Sequence, residues 1–246
     1  MNKDVNINFQ DYFTDFEHYN LLKKNYNTTN TGYRFKKITN KLEKEEIESL
    51  LKYYNCGEFE LFFAIVQIVV SKLSNQQDLV FILNNTSDNS FLYRNQIDWE
   101  LDFFSFIKSV EEKTVFFEKN IEEFNHFCES EYRSKNEKSL FDISFDYIIS
   151  DSIKKQSNKS LCELDFTITK NDNSYSMEIS YCENYYTDLK IFQIVDYILC
   201  FIKLIENNNK LAHYELITSV EKALILNDFN ATETEYPRDK TVVGLF

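Results

Sequence analysis

The chain has 246 residues, 43% hydrophobic and 16% aromatic, which excludes a disordered polypeptide and leaves room for one large domain or two small ones. A formal net charge of -13 excludes a nucleic-acid partner, whose phosphates need clustered Lys and Arg, and disfavours an anionic membrane surface. No apolar run reaches the ~20 residues of a membrane span, and Met1 to Tyr12 is too polar and acidic for a signal peptide.

In chain order, Phe9, Phe13, Phe16, Tyr19, Leu22 and Tyr26 recur at helical intervals and predict a short amphipathic leader. Tyr33 to Ile38 alternates as a short strand. Asn40 is placed to cap a helix that runs through Tyr54 and ends at Gly57. Phe59 to Leu73 is apolar nearly all round, so it predicts a buried central helix. Asp78 to Leu83 is a continuous apolar run, predicting a strand buried on both faces.

Asn84 to Asn95 reads as a polar loop, and Ile97 to Leu101 as a strand. Phe103 to Cys128 predicts two consecutive helices, and Leu140 to Ile149 a strand. Leu164 to Ile168 and Tyr175 to Tyr181 alternate about Asn171-Asp172-Asn173-Ser174, which predicts a hairpin. Thr187 is placed to cap a long helix to Ile205, with Leu189, Phe192, Val195, Ile198, Leu199, Ile202 and Ile205 turned inward. This order predicts a mixed α/β sandwich in one layered domain.

The last thirty-odd residues carry the most specific pattern. A short helix over Leu216 to Leu224 leads to Phe229-Asn230-Ala231-Thr232, then Tyr236-Pro237, then Thr241-Val242-Val243-Gly244-Leu245-Phe246. This resembles the junction between a condensation domain and the adenylation domain after it in nonribosomal peptide synthetases. That junction reads Leu-Thr-x-x-Glu, Phe-Asn-x-Thr, Tyr-Pro and Thr-(Ile/Val)-x-x-Leu-Phe. Upstream, Phe62 to Leu73 and Ser74 to Val80 resemble the family's helix before Gly-Gln-x-Asp-(Leu/Ile)-Val. Glu163-Leu164-Asp165-Phe166-Thr167 and Tyr181 to Phe192 fall where the family has a hairpin and a long helix.

The resemblance implies the C-terminal half of a chloramphenicol acetyltransferase-like condensation domain over residues 32–215. A leader occupies 1–31, and a linker helix and tail occupy 216–246. The family's catalytic His-His-x-x-x-Asp-Gly is missing. His18, His126 and His213 stand apart, and the 31 residues before Gly32 leave no room for the half that carries the motif. His126, among Glu122, Glu123 and Glu129, is the one candidate base, and it reads as a helix-surface histidine instead. Asp165 reads as structural.

Cys56, Cys128, Cys162, Cys182 and Cys200 are odd in number and form no Cys-x-x-Cys. They read as reduced, inert thiols of a cytoplasmic protein. With glycine only at 32, 57 and 244, no phosphate-binding loop is possible. No metal or cofactor is expected.

The resemblance therefore implies a truncated, non-catalytic condensation-like domain in an initiation module of a peptide natural-product synthetase. It would position the adenylation domain that follows in the same polypeptide, through Phe229, Asn230, Tyr236, Pro237, Val242, Leu245 and Phe246. Two alternatives stand beside it. One is a docking module for a carrier protein or a separate synthetase subunit; the other is a relic acyl or peptidyl transferase.

Overall fold

A computed structural model describes residues 34–84, 90–120, 143–150, 162–217 and 219–228. The chain divides into two compact units, Met1–Tyr214 and Glu215–Phe246. The first is built on a six-stranded mixed sheet. Its strands are β1 (Phe35–Leu42), β2 (Asp78–Asn84), β3 (Ser90–Gln96), β4 (Ile143–Ile149), β5 (Leu164–Asn171) and β6 (Ser174–Cys182), in the order β1-β6-β5-β4-β2-β3. β4 runs parallel to β2 and β5, and the other neighbouring pairs are antiparallel.

Among the described residues, four helices accompany the sheet: α1 (Lys44–Tyr54), α2 (Glu58–Ser74), α3 (Phe103–Lys119) and α4 (Asp188–Leu204). α2 is the central helix the sequence predicts, with Leu61 to Ser71 buried without interruption. Phe63 sits at its middle, with its ring 4.9 Å from Tyr93, 5.0 Å from Phe145 and 5.2 Å from Phe81. Such offset and edge-on contacts add to the apolar burial that holds a helix on a sheet.

Residues paired across the ladders share a face. One face carries Phe81, Tyr93, Phe145, Tyr147, Phe166, Tyr175, Ile179 and Tyr181. α2 packs on it, Lys113 of α3 reaches Asn95 on it, and Asp188 of α4 binds Tyr181 on it. The opposite face carries Ser144, Asp146, Asp165 and Thr167 on the central strands, then Glu178 and Ser180 on β6, then Phe35, Lys37, Thr39 and Lys41 on β1.

Several elements fall as the sequence predicts. β2 is buried from Leu79 to Leu83, so both of its faces are covered. The hairpin is in register from Leu164↔Tyr181 to Asn171↔Ser174 and turns on Asp172-Asn173. Thr187 caps α4, its side chain accepting from the Lys190 amide.

Others are corrected. Asn40 is not a cap: it lies within β1 opposite Met177, because the ladder with β6 continues to Leu42↔Tyr175 and holds the chain extended. Glu43 stands at the N-cap without a side-chain bond. Gly57 does not end α1. Asn55 does, at φ 46 and ψ 55, a left-handed position that Asn tolerates. Gly57 instead precedes α2 with an ordinary φ of -76.

The loop read over Asn84 to Asn95 contains most of β3, and Ile97 to Leu101 is a turn in which the Asp98 side chain accepts from the Glu100 amide. Pairing with β2 overrides the poor alternation of β3, through Phe81↔Tyr93 and Val80↔Arg94. Leu189 is 80% and Phe192 51% exposed, so they are not part of α4's inner face. Ile191, Ile194, Val195, Tyr197, Ile198, Phe201 and Ile202 are. The first helix predicted after Phe103 ends at Lys119, and the rest of that prediction, like the leader, lies outside the described residues.

In the second unit, α5 (Ser219–Ala223) is followed by one turn of wider helix, Leu224–Asp228. Lys222 binds Glu215 at 2.9 Å. The tail from residue 229 onward lies outside the described residues.

Candidate functional site

Among the described residues, no pair of histidines forms. His213 ends a short 3-10 turn, Leu211–His213, and is exposed, while His18 and His126 lie outside the described residues. Phe229, Asn230, Tyr236, Pro237, Val242, Leu245 and Phe246 lie outside them as well. Asp165 is 8% exposed on the polar face of β5 and accepts from the Ser144 hydroxyl at 2.7 Å.

Among the described residues, a dense set of ionisable groups gathers around Glu58, the first residue of α2. Its carboxylate accepts from Tyr175 Oη at 2.5 Å, from Lys170 Nζ at 2.7 Å and from the Tyr147 hydroxyl. The register explains the convergence. Lys170 of β5 faces Ile149 of β4 and Tyr175 of β6, so three adjacent strands present donors at one end of the sheet. An acid in a helix's first turn is also favoured by the helix dipole.

The electrostatics make the cluster a clasp and not a proton shuttle. Burial pushes the Glu58 carboxyl up, but the bonds from Lys170, Tyr147 and Tyr175 outweigh it and hold it below its ordinary value. Burial, then the bond to this carboxylate, pushes both phenols well above theirs. The carboxyl and the two phenols are therefore shifted away from neutral pH, whereas a general acid or base must titrate near it.

A second cluster ties β1 and β6 to α4. Asp188 accepts from Tyr181 at 2.8 Å and pairs with Lys36 at 3.2 Å, while Lys36 also pairs with Glu183 at 2.6 Å. Its bonds to Glu183 and Asp188 push Lys36 up to about 12, and burial with the Asp188 bond pushes Tyr181 up to about 12. On the polar face, Arg94 clasps Asp78 through two nitrogens at 2.8 and 2.5 Å. Such bidentate pairs fix a strand end rather than drive chemistry.

Between α2, α3 and β3 runs a polar relay. Lys113 donates to Asn95, and Asn95 Nδ2 donates to Gln67 Oε1 at 2.7 Å. Gln67 is fully buried, and burial holds the Lys113 ammonium below its ordinary range against the opposing charge of Asp78. Sequence reasoning missed Gln67, although it is the single polar residue in the apolar run Leu61 to Val70. It also missed Glu58, whose signal was an acid at the start of a helix.

The thiols fit the inert reading where they are described. Burial pushes Cys56 up to about 11 and raises Cys182 too, and Cys162 is buried. Among the described residues, no group of three or more metal-ligating side chains forms. No helix among them is long and apolar enough to cross a membrane.

No family model matches the chain. Among solved structures, the condensation domain of the monacolin K polyketide synthase superposes with a TM-score of 0.66 at 10% identity, over 81% of this chain and 56% of that one. The first condensation domain of the calcium-dependent antibiotic synthetase gives 0.66 at 12% identity, over 85% and 52%. The fold is thus that of the condensation domains, a chloramphenicol acetyltransferase-like α/β class with a mixed sheet.

Within that class, the sequence is similar to the nonribosomal peptide synthetases. Bacitracin synthase 1 of Bacillus licheniformis is 24% identical over 234 residues, covering 82% of this chain. The chain spans 4% of that synthase and about half of the solved domains, at 56% and 52%. The fold is that of a condensation domain, and the sequence is similar to synthetases of the nonribosomal peptide kind.

Proposed function

We propose that these residues form a condensation-like domain without transfer activity of its own, which braces the adenylation domain following it in the same polypeptide. The observation that carries this reading is the histidine set: in 246 residues His18, His126 and His213 are never adjacent, so no His-His-x-x-x-Asp-Gly exists. The Glu58 cluster supports it, since its phenols and carboxylate are held away from neutral-pH titration.

The place before an adenylation domain, in an initiation module, rests on Phe229-Asn230, Tyr236-Pro237 and Val242 to Phe246. Those residues would pack along the adenylation domain as it folds. Burying the apolar side chains among them would contribute ~25 cal/mol per Å².

The test is the adenylation domain expressed with and without residues 1–246. The expected result is a higher melting temperature and a longer-lived ATP–pyrophosphate exchange activity when they are present. Equal melting temperature and equal activity in both forms would contradict the reading, as would the finding that no adenylation domain follows.

A further inference from the structure

The chain carries 40 acidic against 27 basic side chains, yet the stretch from Arg34 to Leu42 holds four basic residues and no acidic one. All of it but Arg34 is β1, the edge of the sheet, paired only with β6 among the described residues. Its ladder is complete from Phe35↔Cys182 to Leu42↔Tyr175, with no bulge and no proline. An edge of this length leaves a row of backbone N–H and C=O groups open to another strand.

The charges along it are not all neutralised. Lys36 is paired with Glu183 and Asp188, and Lys37 with Glu178 at 2.7 Å. Arg34 and Lys41 are exposed and have no acidic partner among the described residues. Arg34 directly precedes the strand and Lys41 lies near its end, seven residues apart, which is roughly 23 Å of extended chain, so alternation sets them toward opposite faces of the edge. Phe35 is 39% exposed and shares with Lys37 and Lys41 the face turned away from the helices.

Lysines on an edge commonly only discourage self-pairing, and here they do: a second copy laid on β1 would set like charges against like. The same charges favour one other occupant. We propose that β1 is a docking strand for an acidic, extended segment of a partner protein. The segment would add to the sheet edge by backbone hydrogen bonds, its carboxylates meeting Arg34 and Lys41 and an apolar side chain covering Phe35. This inference does not depend on the bracing role, since the edge exists whether or not an adenylation domain follows.

The experiment uses the full chain and three labelled peptides read by fluorescence anisotropy. One is an extended valine–threonine peptide with two glutamates seven residues apart, one has lysines in their place, and one is the acidic peptide with a central proline. The expected result is that only the first binds, and that its affinity falls steeply between low salt and ~0.5 M salt. The double variant R34E/K41E should weaken it by about tenfold or more. Both side chains are exposed and unpaired, so the fold should persist, as circular dichroism would verify. Hydrogen exchange of the unaltered chain should slow within Phe35–Leu42 when the acidic peptide is added. No binding of the acidic peptide, equal binding of all three, binding indifferent to R34E/K41E, or exchange unchanged in β1 would each overturn the proposal.

Discussion

The two faces of the sheet are made by opposite means. On one, Phe63 of α2 lies among Phe81, Tyr93 and Phe145, and order comes from shape and apolar burial. On the other, buried Ser144, Asp146, Asp165 and Thr167 stand on adjacent strands, and the Ser144 hydroxyl binds Asp165 across them. An aromatic face tolerates no loss of volume, whereas a polar face tolerates no loss of a partner. The difference predicts which substitutions harm each face.

The largest effect belongs to Phe63→Ala. Phe63 has no exposure and touches three strands, so truncation should cost about 3–5 kcal/mol in urea unfolding. A loss below 1 kcal/mol would mean that the aromatic face is not the core of the domain.

Glu58→Gln comes next, because a neutral amide cannot hold Lys170 and both phenols as the carboxylate does. The expected loss is about 1–3 kcal/mol. It should also depend on pH. The folded Glu58 pKa lies below its ordinary value of 4.5, so its contribution is full above that value and is lost as pH falls through the folded pKa. Unfolding curves of wild type and Glu58→Gln should converge on acidification below about pH 4.5 and stay parallel from pH 6 to 8.

Thr167→Val should reverse the usual sign. Its hydroxyl is buried with no hydrogen-bond partner, so replacing it with a methyl of similar shape should leave stability unchanged or raise it by up to ~1 kcal/mol. A clear loss would show that the hydroxyl is satisfied in solution. The smallest effect is Leu189→Ser, within ~0.5 kcal/mol because the side chain is 80% exposed. Its inner neighbour Ile191→Ser should be strongly destabilising, and equal losses at the two positions would put α4's inner face elsewhere.

Where packing and pattern agree, the fold is legible in the sequence. The apolar run Leu61 to Val70, broken only at Gln67, and the hairpin about Asp172-Asn173 name their structures directly, because nothing in the tertiary fold competes with their local preference. β3 was not legible. Ser90 to Gln96 alternates poorly, and its strand state is imposed by pairing with β2 and by the Arg94–Asp78 clasp, which no local window contains. Leu189 and Phe192 misled for a related reason: both fit a helical stripe, yet α4 buries the stripe through Ile191, Ile194 and Ile198 instead.

The Glu58 cluster joins residues 58, 147, 170 and 175, and only strand register brings them together. For the candidate site, the sequence made one feature plain, the missing histidine pair. The condensation-like fold agrees with the resemblance from which that absence draws its meaning.

The most direct test of the account is a condensation assay with the chain and two separately loaded carrier proteins, donor and acceptor. The account predicts no dipeptidyl thioester above the level without the chain, at any pH from 6 to 9. Product formed in the presence of the chain, and lost on His126→Ala, would show that a single histidine serves as base here and would contradict the non-catalytic reading.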